Sequence, residues 1–315
     1  MAKPAERIGL ALGSGAARGW AHIGVIRALE DAGIAPEIVC GSSIGAVVGA
    51  VYAAGELDPF EAWVRDLDWR RVVGLLDLAW GGGGFLKARK VFEGMAEHFS
   101  DRPIASLPRR FAAVATDLES GREIWLREGS VMAAMRASVA LPGIVTPVKH
   151  EGRWLVDGGL VNPVPVALCR ALGARRVIAV DLNTTLLGRR FQPEHGDAAE
   201  AAPAPVSEHR PGSLRERLRV AAAELRQRLG DEGGEERPAP DTPSVFEVMA
   251  NSLNIMQIRI HRSRMAGDPP ELLIAPRLGD FGLFDFDRAD EAIEEGRRAV
   301  ARALAPGAHA IGEDP

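Results

Sequence analysis

Ile38-Val39-Cys40-Gly41-Ser42-Ser43-Ile44-Gly45-Ala46-Val47-Val48 is the stretch on which the fold turns. Pro36–Cys40 reads as a short buried strand, and Ile44–Ala54, rich in Ala, Gly and Val, reads as a buried helix. Between them Gly41-Ser42-Ser43-Ile44-Gly45 fits G-x-S-x-G, a strand-to-helix turn that exposes a serine hydroxyl at the tip. Gly41 and Gly45 leave that turn room that larger residues would fill. The motif alone is weak in a chain with 35 glycines, and a tightly packed Gly/Ser turn would read the same way. Its flanks, an apolar strand before and a small-residue helix after, lift it.

Upstream, Ile8–Leu12 is a compact apolar strand, followed by the loop Gly13–Gly19 and a helix carrying Ile23, Ile26 and Leu29 on one face, closed by Gly33. Strand, loop, helix, strand, turn, helix implies parallel strands covered by helices, hence an α/β layered sheet. Downstream, Asp58–Phe99 reads as mostly helical with a break at Gly81–Gly84. Strand Phe111–Thr116, a hairpin partner at Glu123–Leu126, helix Val131–Ser138 and strands at Ile144–Val148 and Arg153–Val156 follow. Asn162 is expected to cap a helix with Pro163 and Pro165 in its first turn, stopped by Gly173 before the strand Arg176–Leu182. Val245, Met249, Leu253, Met256 and Ile260 mark an amphipathic helix in which Met249 and Met256 are expected in the core. Strand Leu272–Ala275 and a last helix near Arg288–Leu304 complete the pattern.

Composition sets the outer bounds. The 315 residues suffice for one domain with a substantial core, here expected as about 7–185 and 243–305. Residues 186–242 shift to Ala, Pro, Glu, Gly and Arg, as in a flexible polar insert, with one amphipathic basic helix over Ser213–Leu229. A net charge of −5 and 5% aromatics argue against nucleic acid as a partner. Cys40 and Cys169 lie in apolar segments and read as buried thiols of a reducing compartment. The apolar runs Ile8–Leu12 and Ile44–Gly55 are too short for a signal segment or a membrane span, so a cytoplasmic protein is expected. Oligomeric state, a homo-oligomer included, is left open.

Ser43 needs a base. Asp157 closes a strand and is followed by Gly158 and Gly159, so it sits on a permissive turn at a sheet edge. In a parallel sheet the strand C-termini share one side, which would bring Asp157 toward Ser43. Asp-Gly-Gly by itself is most often an ordinary turn. An aspartate with a pKa of about 3.9 is a poor base for a hydroxyl, so the chemistry asks for desolvation and a short hydrogen bond. A Ser-His-Asp triad is the rival. Only 42 residues precede Ser43, few for an α/β-hydrolase sheet, and none of the seven histidines has distinguishing surroundings. His22, close to the glycine loop, would be the first choice.

The loop Gly13-Ser14-Gly15-Ala16-Ala17-Arg18-Gly19 joins a strand to a helix N-terminus, where backbone N–H groups suit an oxyanion or a phosphate. A dinucleotide site is the competing reading. The spacing is G-x-G-x-x-x-G, and the second strand ends at Cys40 without the acidic residue that holds a ribose. Arg18 either stiffens the loop, faces an anionic part of a substrate, or forms an ordinary surface ion pair.

These pieces together resemble the patatin-like phospholipase family, in particular its bacterial RssA-type members. The likeness is carried by Ile8–Trp20, Phe111–Thr116, Ala137-Ser-Val-Ala-Leu-Pro-Gly143, Trp154–Pro163 and Arg264–Pro270. It implies a three-layer α/β/α fold with a mainly parallel central sheet, and a Ser–Asp dyad in which Ser43 matches the nucleophile and Asp157 the aspartate. It implies an oxyanion loop at Gly13–Gly19, a lipid or other ester as substrate, and neither cofactor nor metal. Where the family commonly has three glycines this chain has Ser14, Gly15 and Ala16, and two added side chains narrow the loop. A second class stays open: a regulatory or scaffold protein that binds a partner or a membrane surface through its basic amphipathic helix.

Overall fold

The computed structural model describes residues 7–75, 84–86, 89–96, 99–184 and 245–305. The expected insert at 186–242, with its helix Ser213–Leu229, lies outside the described residues. Ten strands are described: β1 (Ile8–Leu12), β2 (Ile38–Ser42), β3 (Gly84–Leu86), β4 (Arg110–Asp117), β5 (Glu123–Leu126), β6 (Gly143–Val145), β7 (Val148–His150), β8 (Arg153–Asp157), β9 (Arg176–Val180) and β10 (Leu272–Ile274). Among them run helices α1 (Ala21–Asp31), α2 (Ile44–Ala54), α3 (Leu57–Arg65), α4 (Trp69–Leu75), α5 (Arg89–Ala96), α6 (Val131–Ser138), α7 (Val166–Ala171), α8 (Val245–Gly267) and α9 (Ala289–Ala303).

The main sheet has the order β10-β9-β1-β2-β4-β8-β7, with β5 paired to β4. The pairs β10–β9, β9–β1, β1–β2 and β2–β4 are parallel. Both faces are covered, as parallel strands with apolar side chains in both directions require. Alternate residues divide the core in two. Leu10, Leu12, Val39, Phe111 and Ala113 join the larger cluster with α1, α2, α6 and α9. Ala11, Ile38, Cys40, Ala112 and Val114 pack with Leu168 and Cys169 of α7. Every residue of α2 is buried, so this helix needs no polar face. The α/β/α expectation holds.

The end of the sheet departs from the parallel expectation in a way that matters for the site. β8 is antiparallel to β4, with Ala115 opposite Asp157 and Asp117 opposite Leu155. β5 pairs with Ala113–Thr116. Since β2 pairs with residues 110–114 of β4 and β8 with 115–117, both occupy the edge that β5 leaves. They meet tip to tip, Ser42 opposite Val114 and Asp157 opposite the next residue, Ala115. Asp157 therefore reaches Ser43 from the opposite direction, not because strand C-termini share a side.

Three local expectations also change. Asn162 caps no helix: α7 starts at Val166, because the residues before Pro163 and Pro165 are pushed out of the helical region. The Gly81–Gly84 break is followed by a strand, β3, which pairs in parallel with β6. The expected strand Ile144–Val148 divides into β6 and β7.

Candidate functional site

Ser43 stands between β2 and α2 with φ 55° and ψ −126°, a left-handed conformation that a side-chain-bearing residue holds only under constraint. The constraint is visible in its neighbours. A Cβ on Gly41 would lie 2.3 Å from the Gly45 carbonyl oxygen, and one on Gly45 would lie 2.2 Å from the Leu12 carbonyl oxygen. The two glycines of the motif are thus demanded by backbone packed against backbone. The Ser43 N–H donates to Ser138 Oγ at 2.9 Å, and Ser138 donates to the Val114 carbonyl at 2.6 Å. Ser138, wholly buried on α6, has no role of its own in the sequence reading, where it is the last residue of a helix.

The Ser43 hydroxyl donates to Asp157 Oδ2 at 2.6 Å. Asp157 is 1% exposed, and its other oxygen accepts from Gly159 N–H at 2.7 Å. Its backbone is pinned as well: Asp157 N–H donates to Ala140 O, and Thr116 Oγ1 donates to Asp157 O. Burial pushes the Asp157 carboxyl up to about 6, with the hydrogen bonds from Ser43 and Gly159 pulling the other way. Gly158 sits against the Val114 carbonyl, so the Asp-Gly-Gly turn is seated on β4.

The glycine loop closes over the same point. Gly13 N–H donates to Val180 O and Ser14 N–H to Pro163 O, while Ala17 N–H donates to Leu283 O. The second half of the loop, Ala16–Trp20, is a 3-10 turn rather than irregular chain, with Gly19 packed on Ile44. Ala16 takes φ 50°, and among the described residues the N–H groups of Gly15 and Ala16 carry no hydrogen bond. Ser14 donates to Gln257 Oε1 at 3.0 Å, and Asn183 Nδ2 donates to both Ser14 O and Gln257 Oε1. Arg18 is 2% exposed; its Nε donates to Gly15 O and its Nη2 to Asn254 Oδ1. Burial rules out an ordinary surface ion pair; the bond to Gly15 O stiffens the loop, and Arg18 also borders the smaller hollow at Ser43, where it can face an anionic group.

Asn254, Gln257 and His261 come from α8, and none of them was singled out in the sequence. Gln257 and His261 are buried and Asn254 partly so, which rotates the helix away from the expected face. Met249 and Met256 are exposed by 50% and 49%, because α8 turns Gln257, Ile258 and His261 inward. Periodicity could not choose between two faces each carrying apolar residues.

Among the described residues the two buried histidines are engaged elsewhere than at Ser43. His22 Nε2 lies 2.8 Å from Gly13 O, and burial lowers its pKa to about 4, so it is a neutral brace beneath the loop. His261 faces Asp181 at 3.3 Å and is likewise lowered by burial. Among the described residues no group of three or more His, Cys, Asp or Glu is arranged to hold a metal ion. Cys40 and Cys169 are buried free thiols.

Two hollows meet at Ser43. The larger, about 180 Å³, is lined by Trp20, Ile44, Val47, Trp63, Leu67, Val72, Phe92, Met95, Leu141, Ile144, Val145 and Phe286 among others, and among the described residues Ser43 and Asp157 bring the hydroxyl and the carboxyl group to this apolar wall. The smaller is bounded by Ser14, Arg18, Asn254 and Gln257, and shares Ala16, Ser43, Leu141, Asp157 and Leu283 with the first. A hydroxyl hydrogen-bonded to a desolvated carboxylate at such a junction is equipped for acyl transfer.

A family model described as patatin-like phospholipase matches residues 10–170. An uncharacterized NTE family protein of Mycobacterium tuberculosis is 37% identical over 330 residues, covering 95% of this chain and 91% of that protein. A lysophospholipase, NTE1, of Coccidioides immitis is 29% identical over 92% of this chain, which spans 17% of that longer protein. VipD from Legionella pneumophila, a solved structure, aligns at 12% identity over 95% of this chain and 67% of its own, with a TM-score of 0.42. The family match over half of the chain and the mycobacterial relative agree: the chain belongs to the patatin-like phospholipase family.

Proposed function

We propose that the protein is a serine hydrolase of lipid esters in which Ser43 is the nucleophile and Asp157 its only base. The single observation that carries this reading is the 2.6 Å hydrogen bond from Ser43 to a buried carboxylate at the floor of an apolar cavity. A raised carboxyl pKa, about 6, makes Asp157 a better proton acceptor than a solvated aspartate while leaving it ionised at neutral pH.

In the first half-reaction Ser43 Oγ bonds to the ester carbonyl carbon and its proton passes to Asp157 Oδ2. The Gly15 and Ala16 N–H groups receive the oxyanion. The intermediate collapses, the C–O bond to the alcohol breaks, and Asp157 returns the proton to the departing alkoxide. In the second half, Asp157 takes a proton from water as the water oxygen attacks the acyl carbon. Collapse frees the fatty acid, and Ser43 recovers its proton. The acyl chain occupies the apolar cavity. A lysophospholipid is a fitting substrate, in keeping with the lysophospholipase relatives among fungi. Incubation with lysophosphatidylcholine should release free fatty acid from wild type and none from Ser43→Ala; equal release from both removes Ser43 from the role.

The same reading treats the chain as one hydrolase domain, with 186–242 inserted between core segments. Among the described residues no helix is long and apolar enough to cross a membrane.

A further inference from the structure

α8 has two faces with different business. Inward, Leu253, Asn254 and Gln257 border the smaller hollow at Ser43. Outward, Val248, Met249, Ile255 and Met256 are exposed by 48 to 50%. These four make up half of the large apolar side chains exposed among the described residues, so they form a patch and not a scatter. Their spacing, two adjacent pairs seven residues apart, sets them on one side of the helix.

The patch continues to the cavity and into positive charge. Met249 Cε lies 3.5 Å from where a Cβ on Gly143 would stand, and the next two residues, Ile144 and Val145, line the apolar cavity. One turn beyond Met256 the outward side carries exposed Arg259 and Arg262, which make no ion pair among the described residues. From Val248 to Gly267 the helix contains no Asp or Glu, in a chain whose net charge is −5. A second copy meeting this face would offer arginines to arginines. An anionic bilayer offers both an apolar layer and phosphates.

We propose that the outward face of α8 docks on an anionic lipid bilayer, with Val248, Met249, Ile255 and Met256 entering the surface and Arg259 and Arg262 meeting lipid phosphates. Docking in this way sets the rim of the cavity at Gly143–Val145 against the surface from which a lipid would enter. The idea rests on the hydrolase reading for its purpose, though not for its observation.

The test uses the full chain and vesicles of phosphatidylcholine with or without phosphatidylglycerol, followed by sedimentation. Wild type should sediment with the anionic vesicles, less with phosphatidylcholine alone, and less again as salt rises. Ile255→Glu with Met256→Glu should weaken that binding about ten-fold or more. The double variant should still hydrolyse a soluble short-chain ester at the wild-type rate. Arg259→Gln with Arg262→Gln should abolish the preference for anionic vesicles. The proposal is overturned if wild type binds no vesicle, if the double Glu variant binds as well as wild type, or if wild type is a dimer that this variant dissociates. Vesicle binding without any ester hydrolysis by wild type would instead sink the hydrolase reading and leave the docking face standing.

Discussion

Ser138 Oγ accepts a hydrogen bond from the backbone N–H of Ser43 and donates its own to the Val114 carbonyl, tying the turn of β2 to the middle of β4 through α6. That link holds Ser43 in its left-handed conformation and keeps its hydroxyl over Asp157. Ser138→Ala leaves a buried N–H and a buried carbonyl without their partner, at a cost of about 1–3 kcal/mol of stability. Activity should fall by more than that stability loss implies, in kcat and not KM. Loss of the Ser43–Asp157 hydrogen bond removes one of the contacts that hold the Asp157 pKa down, so the acidic limb of the pH–rate profile should move upward. An unmoved limb would leave Ser138 a packing residue only.

The same carboxyl sets the pH dependence. As a base Asp157 must be ionised, so kcat/KM should fall as pH drops through about 6. Stability runs the other way. The folded pKa is raised above the ordinary value of 3.8, so the native state binds the proton more tightly and this group's contribution declines as pH rises from about 4 to about 6. Asp157→Asn removes the buried charge, and should stabilise the protein at pH 7 by up to roughly 3 kcal/mol, with the gain vanishing near pH 4. Thermal melts of the two proteins across that range check the sign.

Gly45→Ala tests the turn. Its added methyl would meet the Leu12 carbonyl at 2.2 Å, backbone that cannot step aside without moving β1. A destabilisation of about 2–4 kcal/mol is expected together with loss of activity. A variant with unchanged melting temperature would mean that the turn is looser than its packing.

The cavity wall should set acyl length. Leu67→Trp fills part of the apolar hollow beside Trp63 and Val72. Rates on a series of p-nitrophenyl esters should then drop about ten-fold for long acyl chains and little for short ones. A uniform drop along the series would place the acyl chain elsewhere.

Local chemistry makes the Ser43 turn legible, because Gly41, Ser43 and Gly45 recur as a short pattern, although the contact that demands Gly45 comes from Leu12 of β1. Two following glycines mark Asp157 as a turn residue, but β8 runs antiparallel to β4 and meets β2 end to end, a pairing that no local pattern reports. Residues whose role is set by distant partners stayed hidden. Ser138 looks like any small helix residue until Ser43 N–H is beside it, and Gln257 like any polar one until it reaches Ser14. Spacing alone puts Met249 and Met256 in the core, but hydrogen bonds to Arg18 and Ser14 turn the polar side of α8 inward. Asn162 had the identity of a cap, and the two prolines after it delayed the helix.

Labelling with a fluorophosphonate, followed by peptide mass analysis, tests the Ser43–Asp157 pairing most directly. The adduct should form on Ser43 in wild type, be absent from Ser43→Ala, and form at least about a hundred-fold more slowly in Asp157→Asn at neutral pH. An adduct on another residue, or one formed by Asp157→Asn as fast as by wild type, would contradict the account.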